Sequence, residues 1–299
     1  MIRACFLALA LGLSTPAFSS DLPMRIPDAQ WTPLSENRDA ALQFELDALV
    51  AAKPTWAKLA KQKRLSVALV DISVPGEPRL ASINGQKTVY AASLPKIAIL
   101  LTAYDKIASG ELEETAEVTA DMNAMIRKSS NQAATRMIDR VGGLDAVNNT
   151  LKDPKYGLYD ETEGGGLWVG KRYAKTGRRV ADPVAGVSHG ASAYQVARYY
   201  YLLANGRLVD ETRSKQMMDV LVDPGISHKF VASLNNFAPD AKVYRKSGTW
   251  RTYHADSALV WGDEWRHYIL VGVVDSPKGG QILMDLVPAV ETLLKPESP

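Results

Sequence analysis

The chain has 299 residues, 46% hydrophobic and 23% charged, with 35 Lys and Arg against 33 Asp and Glu, a net charge of +2. That length can bury a substantial core, as one large domain or two intertwined lobes. The near-neutral balance excludes a nucleic-acid footprint or a polybasic membrane patch, and the single cysteine, Cys5, excludes a disulfide framework.

Met1-Ile2-Arg3 is a short positive segment, Ala4 to Leu13 an apolar run, and Ser19-Ser20 ends a stretch of small residues. This is the pattern of a secretory signal peptide over residues 1–20, and it predicts an exported, periplasmic protein. The apolar run is too short to span a bilayer, and no later segment is long enough either. Removing it would leave no cysteine, hence no thiolate nucleophile or thiolate metal site. Residues 21–37 carry three prolines and read as an extended N-terminus.

A helix is predicted from Arg38 to Val50, with Leu42, Leu46 and Leu49 at helical spacing. Strands follow at Leu65–Ile72 and Arg79–Ile83, joined by a turn at Pro75–Pro78, and Asn84-Gly85 is a strong hairpin signal. Lys87 to Ala92 is strand-like and leads into an apolar helix from Ile97 to Ala108, closed by Gly110. Shorter helices are predicted at 119–128, 131–140 and 144–151, the last two separated by Gly142-Gly143. Residues 152–190 have many glycines and little periodicity. They read as a long functional loop, with a small hairpin between Gly164–Val169 and Lys175–Arg179.

Ser192 to Gln195 is a capping box opening a helix to Ala204, and another helix is predicted over Glu211–Val222. Three strands at Ala241–Arg245, Ala255–Trp261 and His267–Val274 precede a final helix over Gln281–Leu294. This order predicts an α+β fold. Strands from both ends of the chain form one five-stranded antiparallel sheet flanked by helices. The sheet lobe takes residues 38–92 and 225–299, and an all-helical lobe takes 93–224.

Ser93-Leu94-Pro95-Lys96 stands where the strand-like stretch meets the apolar helix. Positions i and i+3 share one face of a helix, so the hydroxyl has a base within reach. The helix start adds unpaired N–H groups suited to a developing oxyanion. The string alone is weak, since S-x-x-K arises about once per few hundred residues at ordinary usage, and an N-cap serine followed by a surface lysine would explain it. Chemistry at such a serine needs two further clusters, of S-D-N and K-T-G type. Ser129-Ser130-Asn131 fits the first. For the second, Lys175-Thr176-Gly177 is the literal match, but it lies in the Gly- and Arg-rich loop with no strand pair and helix after it. Lys246-Ser247-Gly248 ends a strand and is followed by two strands and the terminal helix.

The stretch from Ser129 to Val147 (SSNQAATRMIDRVGGLDAV) resembles the corresponding part of class A β-lactamases, with Ser130 where they carry Asp. The three clusters in order resemble the same penicillin-recognising serine-enzyme superfamily, over roughly residues 38–295. The resemblance implies Ser93 as the acylated nucleophile and Lys96 as its base or proton carrier. It implies Ser129 as the relay to the leaving nitrogen, and Asn131 as the partner of the substrate amide. Lys246, Ser247, Gly248 and Thr249 would bind the substrate carboxylate, and the Ser93 and Thr249 N–H groups would form the oxyanion hole. It implies a small-molecule β-lactam or peptidoglycan-like substrate; nothing in the sequence points to a metal or organic cofactor, and a monomer is expected.

Two departures stand out. The connection from Ser93 to Ser129 is shorter than in class A enzymes, which predicts a more open cleft. The Glu-x-x-x-Asn loop that activates the deacylating water is missing: Glu161 is followed four residues on by Gly165, and Glu163 by Leu167. Glu161 and Glu163 are candidates for that base, with His189 and His254 as alternatives. Three functions remain open: β-lactam hydrolysis, a D,D-peptidase or esterase-like activity with slow β-lactam turnover, and a non-catalytic peptidoglycan-binding module.

Overall fold

The computed structural model describes residues 26–263 and 265–296; the expected signal peptide, residues 1–20, lies outside the described residues. Helix α1 (Ala40–Ala51) starts where the Asp39 carboxylate accepts the Leu42 N–H at 2.7 Å. Helix α2 (Pro54–Lys61) follows, an element the pattern did not announce. Its proline reads as a breaker unless it takes the first helical position, where a missing N–H costs nothing.

Strand β1 (Leu65–Asp71) is buried at every position, because both its faces are covered. It pairs with β2 (Arg79–Ile83) on one side and β10 (His267–Asp275) on the other, with Leu69 opposite Leu270. Strands β9 (Tyr253–Trp261) and β8 (Lys242–Trp250) complete an antiparallel sheet of order β2-β1-β10-β9-β8. Alternation along β1 sends Val67 and Leu69 to one face and Ala68 and Val70 to the other. On the first face lie α1, α9 (Phe230–Phe237) and α10 (Gly279–Leu294). On the second lie α3 (Lys96–Ala108), α4 (Ala116–Arg127), α5 (Asn131–Arg140), α6 (Gly143–Lys152), α7 (Ala193–Ala204) and α8 (Glu211–Leu221). Among the described residues no helix is long and apolar enough to cross a membrane.

Two expectations need correction. Strand β8 does not stop at Arg245. It stays in register with β9 to Trp250, opposite Tyr253, so Lys246-Ser247-Gly248 lies within the edge strand rather than at its end. The long segment 152–190 is also not built on the predicted hairpin. Strand β5 (Gly165–Gly166) pairs back onto β4 (Tyr159–Asp160), and β6 (Trp168–Val169) pairs with β7 (His189–Ala191), which also takes β3 (Val89–Tyr90). Only one bridge, Lys171 to Arg179, survives of the expected pairing. Gly166 explains the preference: its φ is +159°, and a Cβ there would lie 2.2 Å from the Leu158 carbonyl oxygen, so β5 hugs β4 as only glycine can.

Candidate active site

Ser93 sits in the turn that feeds α3. The Leu94 N–H donates to the Ala91 carbonyl at 3.1 Å and the Lys96 N–H to the Ser93 carbonyl at 3.3 Å. Ala92, just before it, has a φ of +52°, a conformation a residue with a Cβ rarely keeps without surrounding constraint. Ser129 is held the same way at +53°. Both unusual backbones flank one cleft. Ser93 is half-buried and Lys96, in the first turn of α3, is fully buried.

The Lys96 amine donates to the Ser129 carbonyl at 2.6 Å and to Asn131 Oδ1 at 2.8 Å, and lies 3.5 Å from Ser129 Oγ. No carboxylate is among these partners, so burial prevails and brings its pKa down from 10.5 to about 7. The Tyr173 ring covers it, 4.5 Å from the amine to the ring centre. A neutral amine has two N–H groups and one lone pair. The two short bonds use both N–H groups and leave the lone pair for a hydroxyl.

Ser130 does a different job from its neighbours. Its Oγ accepts the Ala133 N–H at 3.2 Å and caps α5, which frees Ser129 and Asn131 to face the cleft. Lys246 then reaches across from β8: its amine donates to Ser129 Oγ at 2.9 Å and to the Ser247 carbonyl at 2.7 Å. Burial, with Lys96 nearby, drives the Lys246 pKa well below 10.5. Ser129 Oγ therefore stands between two buried amines.

Behind β8 the strand is braced. Arg245 Nε donates to Asp256 Oδ1 at 2.7 Å and Nη2 to Oδ2 at 2.8 Å, both side chains buried. Ser257 Oγ donates to the Lys246 carbonyl at 2.9 Å. At Gly248 the strand passes so close to the Ser93 turn that a Cβ would lie 2.1 Å from the Ala91 carbonyl oxygen and 2.8 Å from the Ser93 nitrogen. That approach brings the Thr249 backbone alongside the Ser93 N–H.

Lys229 escaped the sequence reading. Its amine donates to the Gly248 carbonyl at 2.8 Å, Thr249 Oγ1 at 2.7 Å and the Ala255 carbonyl at 3.1 Å, and burial lowers its pKa to about 8. It stands alone before α9, with no motif around it. Its φ of +52°, which aims it at β8, is invisible in the sequence.

These elements enclose a cleft of about 570 Å³. Ser93, Asn131 and Thr249 line it, with an aromatic wall of Tyr90, Tyr173, His189 and Trp250. Lys171, Arg172 and Lys175 line it too, so Lys175-Thr176-Gly177 belongs to its rim rather than to the strand beside Ser93. Among the described residues no Asp or Glu lines it.

Glu161 and Glu163 lie outside this cleft. Glu161 pairs with Lys152 at 2.9 Å on the surface, and Glu163 is exposed. The tight β4–β5 turn, closed by the Asp160 side chain on the Thr162 N–H at 2.8 Å, turns both carboxylates to solvent. His189 lies inside. Its ring stacks on Tyr173 with centroids 4.3 Å apart, its Nδ1 has no hydrogen-bond partner, and burial lowers its pKa to about 4, so it is neutral. His254 packs at the start of α10 against Gly279 and does not line the cleft.

The model of the beta-lactamase enzyme family matches residues 51–124 and 120–292. Among solved structures, a β-lactamase from Sphaerobacter thermophilus is 19% identical, with a TM-score of 0.66, over 85% of this chain and 98% of that one. PBP-A is 15% identical, with a TM-score of 0.62, over 91% of this chain and 98% of its own. A mutant of PBP-A, in an acyl-enzyme complex with penicillin G, is 16% identical with a TM-score of 0.64, over 88% of this chain and 98% of that one. At these identities the likeness shows the fold. No curated protein sequence matches.

Proposed function

The chain belongs to the beta-lactamase enzyme family, and from that premise we propose that it is a serine hydrolase, exported to the periplasm, that opens β-lactam rings by forming an acyl-enzyme on Ser93. The observation that carries this reading is the placement of Ser129 Oγ, 2.9 Å from Lys246 Nζ and 3.5 Å from Lys96 Nζ, beside the Ser93 turn.

Neutral Lys96 accepts the Ser93 proton as Oγ attacks the lactam carbonyl. The Ser93 and Thr249 N–H groups hold the developing oxyanion, and Gly248 permits their approach. The C–N bond then breaks, and Ser129 passes a proton to the leaving nitrogen, drawing its replacement from Lys96. Asn131 binds the amide of the acyl side chain. Lys246 and Ser247 hold the carboxylate, with Lys229 polarising Thr249 from behind.

A second reading has its own support. With no Asp or Glu lining the cleft, no carboxylate activates the water that must release the acyl group. A D,D-peptidase or penicillin-binding relative that acylates readily and deacylates slowly fits that absence. The acyl-enzyme in which a PBP-A mutant was captured is consistent with it. A non-catalytic module would not need buried amines on both sides of Ser129.

A chromogenic cephalosporin followed by intact-protein mass spectrometry separates the readings. Rapid turnover supports the first, and a persistent adduct on Ser93 the second. Absence of both turnover and adduct, with wild type indistinguishable from Ser93→Ala, would overturn each of them.

A further inference from the structure

The Lys175-Thr176-Gly177-Arg178-Arg179 run has no part in acylation, yet its loop forms one wall of the Ser93 cleft. Its charges divide into spent and unspent. Arg172 pairs with Asp139, Nε to Oδ1 at 2.6 Å, and Arg178 pairs with Asp145 at 2.9 Å. Among the described residues Lys171 and Lys175 have no carboxylate partner. The Lys171 amine donates only to the Lys175 carbonyl, at 3.0 Å, and Lys175 is exposed at the rim. Both line the cleft, which among the described residues contains no acid to neutralise them.

The loop is fastened in place. Tyr173, between the two lysines, donates its hydroxyl to the Ala92 carbonyl at 3.3 Å and stacks on His189. The cations therefore stand at a set position relative to Ser93. They are also on a different wall from Lys246, which reaches in from β8 to Ser129. Arg172 ties this loop to Asp139 on α5, the helix that Asn131 opens, and Tyr173 covers the amine that holds Asn131 Oδ1, so the lysines lie on the Asn131 side of the cleft, where the acyl amide would bind.

We propose that Lys171 and Lys175 form a subsite for a second carboxylate, carried on the acyl half of the substrate. The substrate class is then a β-lactam with a negatively charged acyl side chain, bound through an anion at each end. This rests on the acyl-enzyme reading. Exposed ion pairs are individually weak, so two of them favour the dianion on the order of five- to tenfold. The preference weakens as salt screens it.

Benzylpenicillin and α-carboxybenzylpenicillin differ by that one carboxylate and form the test pair. Second-order acylation rates from mass spectrometry give their ratio in wild type and in Lys171→Gln/Lys175→Gln. Taking the ratio cancels any general effect of the substitutions on the cleft. The expected result is a wild-type preference for the dianion of about five- to tenfold, falling toward one in the double variant and in high salt. A wild-type ratio of one or less, or a preference that survives both substitutions, overturns the subsite.

Non-covalent affinities of the same two compounds for Ser93→Ala, followed by tryptophan fluorescence, separate the subsite from the chemistry. A preference there, without any adduct on wild type, removes the acyl-enzyme reading and leaves the subsite standing. Equal affinities there, with adducts on wild type, remove the subsite alone.

Discussion

Acylation should switch on with pH as Lys96 loses its proton. An amine at 10.5 would be neutral in roughly one molecule in 3,000 at pH 7, whereas one brought to about 7 by burial is neutral in about half. Burial thus raises the population of the competent base on the order of a thousandfold. The assay is the single-turnover rate of Ser93 acylation by a chromogenic cephalosporin between about pH 5 and pH 9. The rate should rise about tenfold per pH unit below 7 and level off above it, in the manner of a titrating general base. Lys96→Arg, charged at every accessible pH, should lack the limb and the activity.

The same displacement has a signature in stability, of roughly 5 kcal/mol at 1.36 kcal/mol per pH unit. The folded pKa lies below the unfolded one, so between about 7 and 10.5 the unfolded chain binds more protons, and stability rises with pH across that window. Below 7 the full penalty of burying the cation applies. Urea unfolding of wild type and Lys96→Met should therefore show a difference that shifts in favour of wild type as pH rises from 7. An acylation rate flat from pH 5 to 9, or a limb centred near 10, would refute the argument that burial neutralises Lys96.

Gly248→Ala should lower the acylation rate on the order of a hundredfold, because its Cβ would meet the Ala91 carbonyl at 2.1 Å and push β8 away from Ser93; stopped-flow acylation measures it. Glu161→Gln and Glu163→Gln should each leave turnover within about twofold, the scatter of surface substitutions; a large loss in steady-state kinetics would place a carboxylate in the mechanism after all. Arg245→Leu should cost about 3–5 kcal/mol in urea unfolding, since it leaves the buried Asp256 carboxylate without its cation.

Much of the site was readable because its chemistry is written locally. Ser93 and Lys96 are one helical turn apart, and Ser129 and Asn131 flank a helix start. Lys246 through Thr249 are consecutive on one strand. Each cluster is specified by spacing within an element, and the sheet only has to bring three short strings together. Lys229 was unreadable for the opposite reason. Nothing adjacent marks it, and its place beside the site comes from a left-handed backbone and contacts to β8 and β9 across the fold. The 152–190 segment failed similarly. Which two-residue strands pair there is decided by glycines packed against Leu158 and Thr88, not by any local period. Placing Glu161 and Glu163 by chain position assumed a loop path that the β4–β5 turn does not take.

Charge connects the depressed pKa of Lys96 to the fate of the acyl-enzyme. Lys96, Lys229 and Lys246 are buried, and the hydrogen-bond partners of all three are carbonyl, amide and hydroxyl oxygens. The nearby carboxylate, Asp256, is occupied by Arg245 and by the Phe230 and Ser257 N–H groups. In the proposed reaction these donors serve an anion at the oxyanion and at the substrate carboxylate, which favours attack by Ser93 while Lys96 stays neutral. Release has a different requirement. Deacylation needs a base beside the ester that can take a proton from water. Beside Ser93 the buried candidates for that base are Lys96, which the proposed acylation also uses, and His189, whose burial makes it a weak base at about 4. On the proposed reading, a cleft without carboxylates among its described lining residues favours the first half-reaction and leaves the second to a weak set of bases, and the ratio of the two rates, rather than either one, decides between a β-lactamase and a penicillin-binding relative.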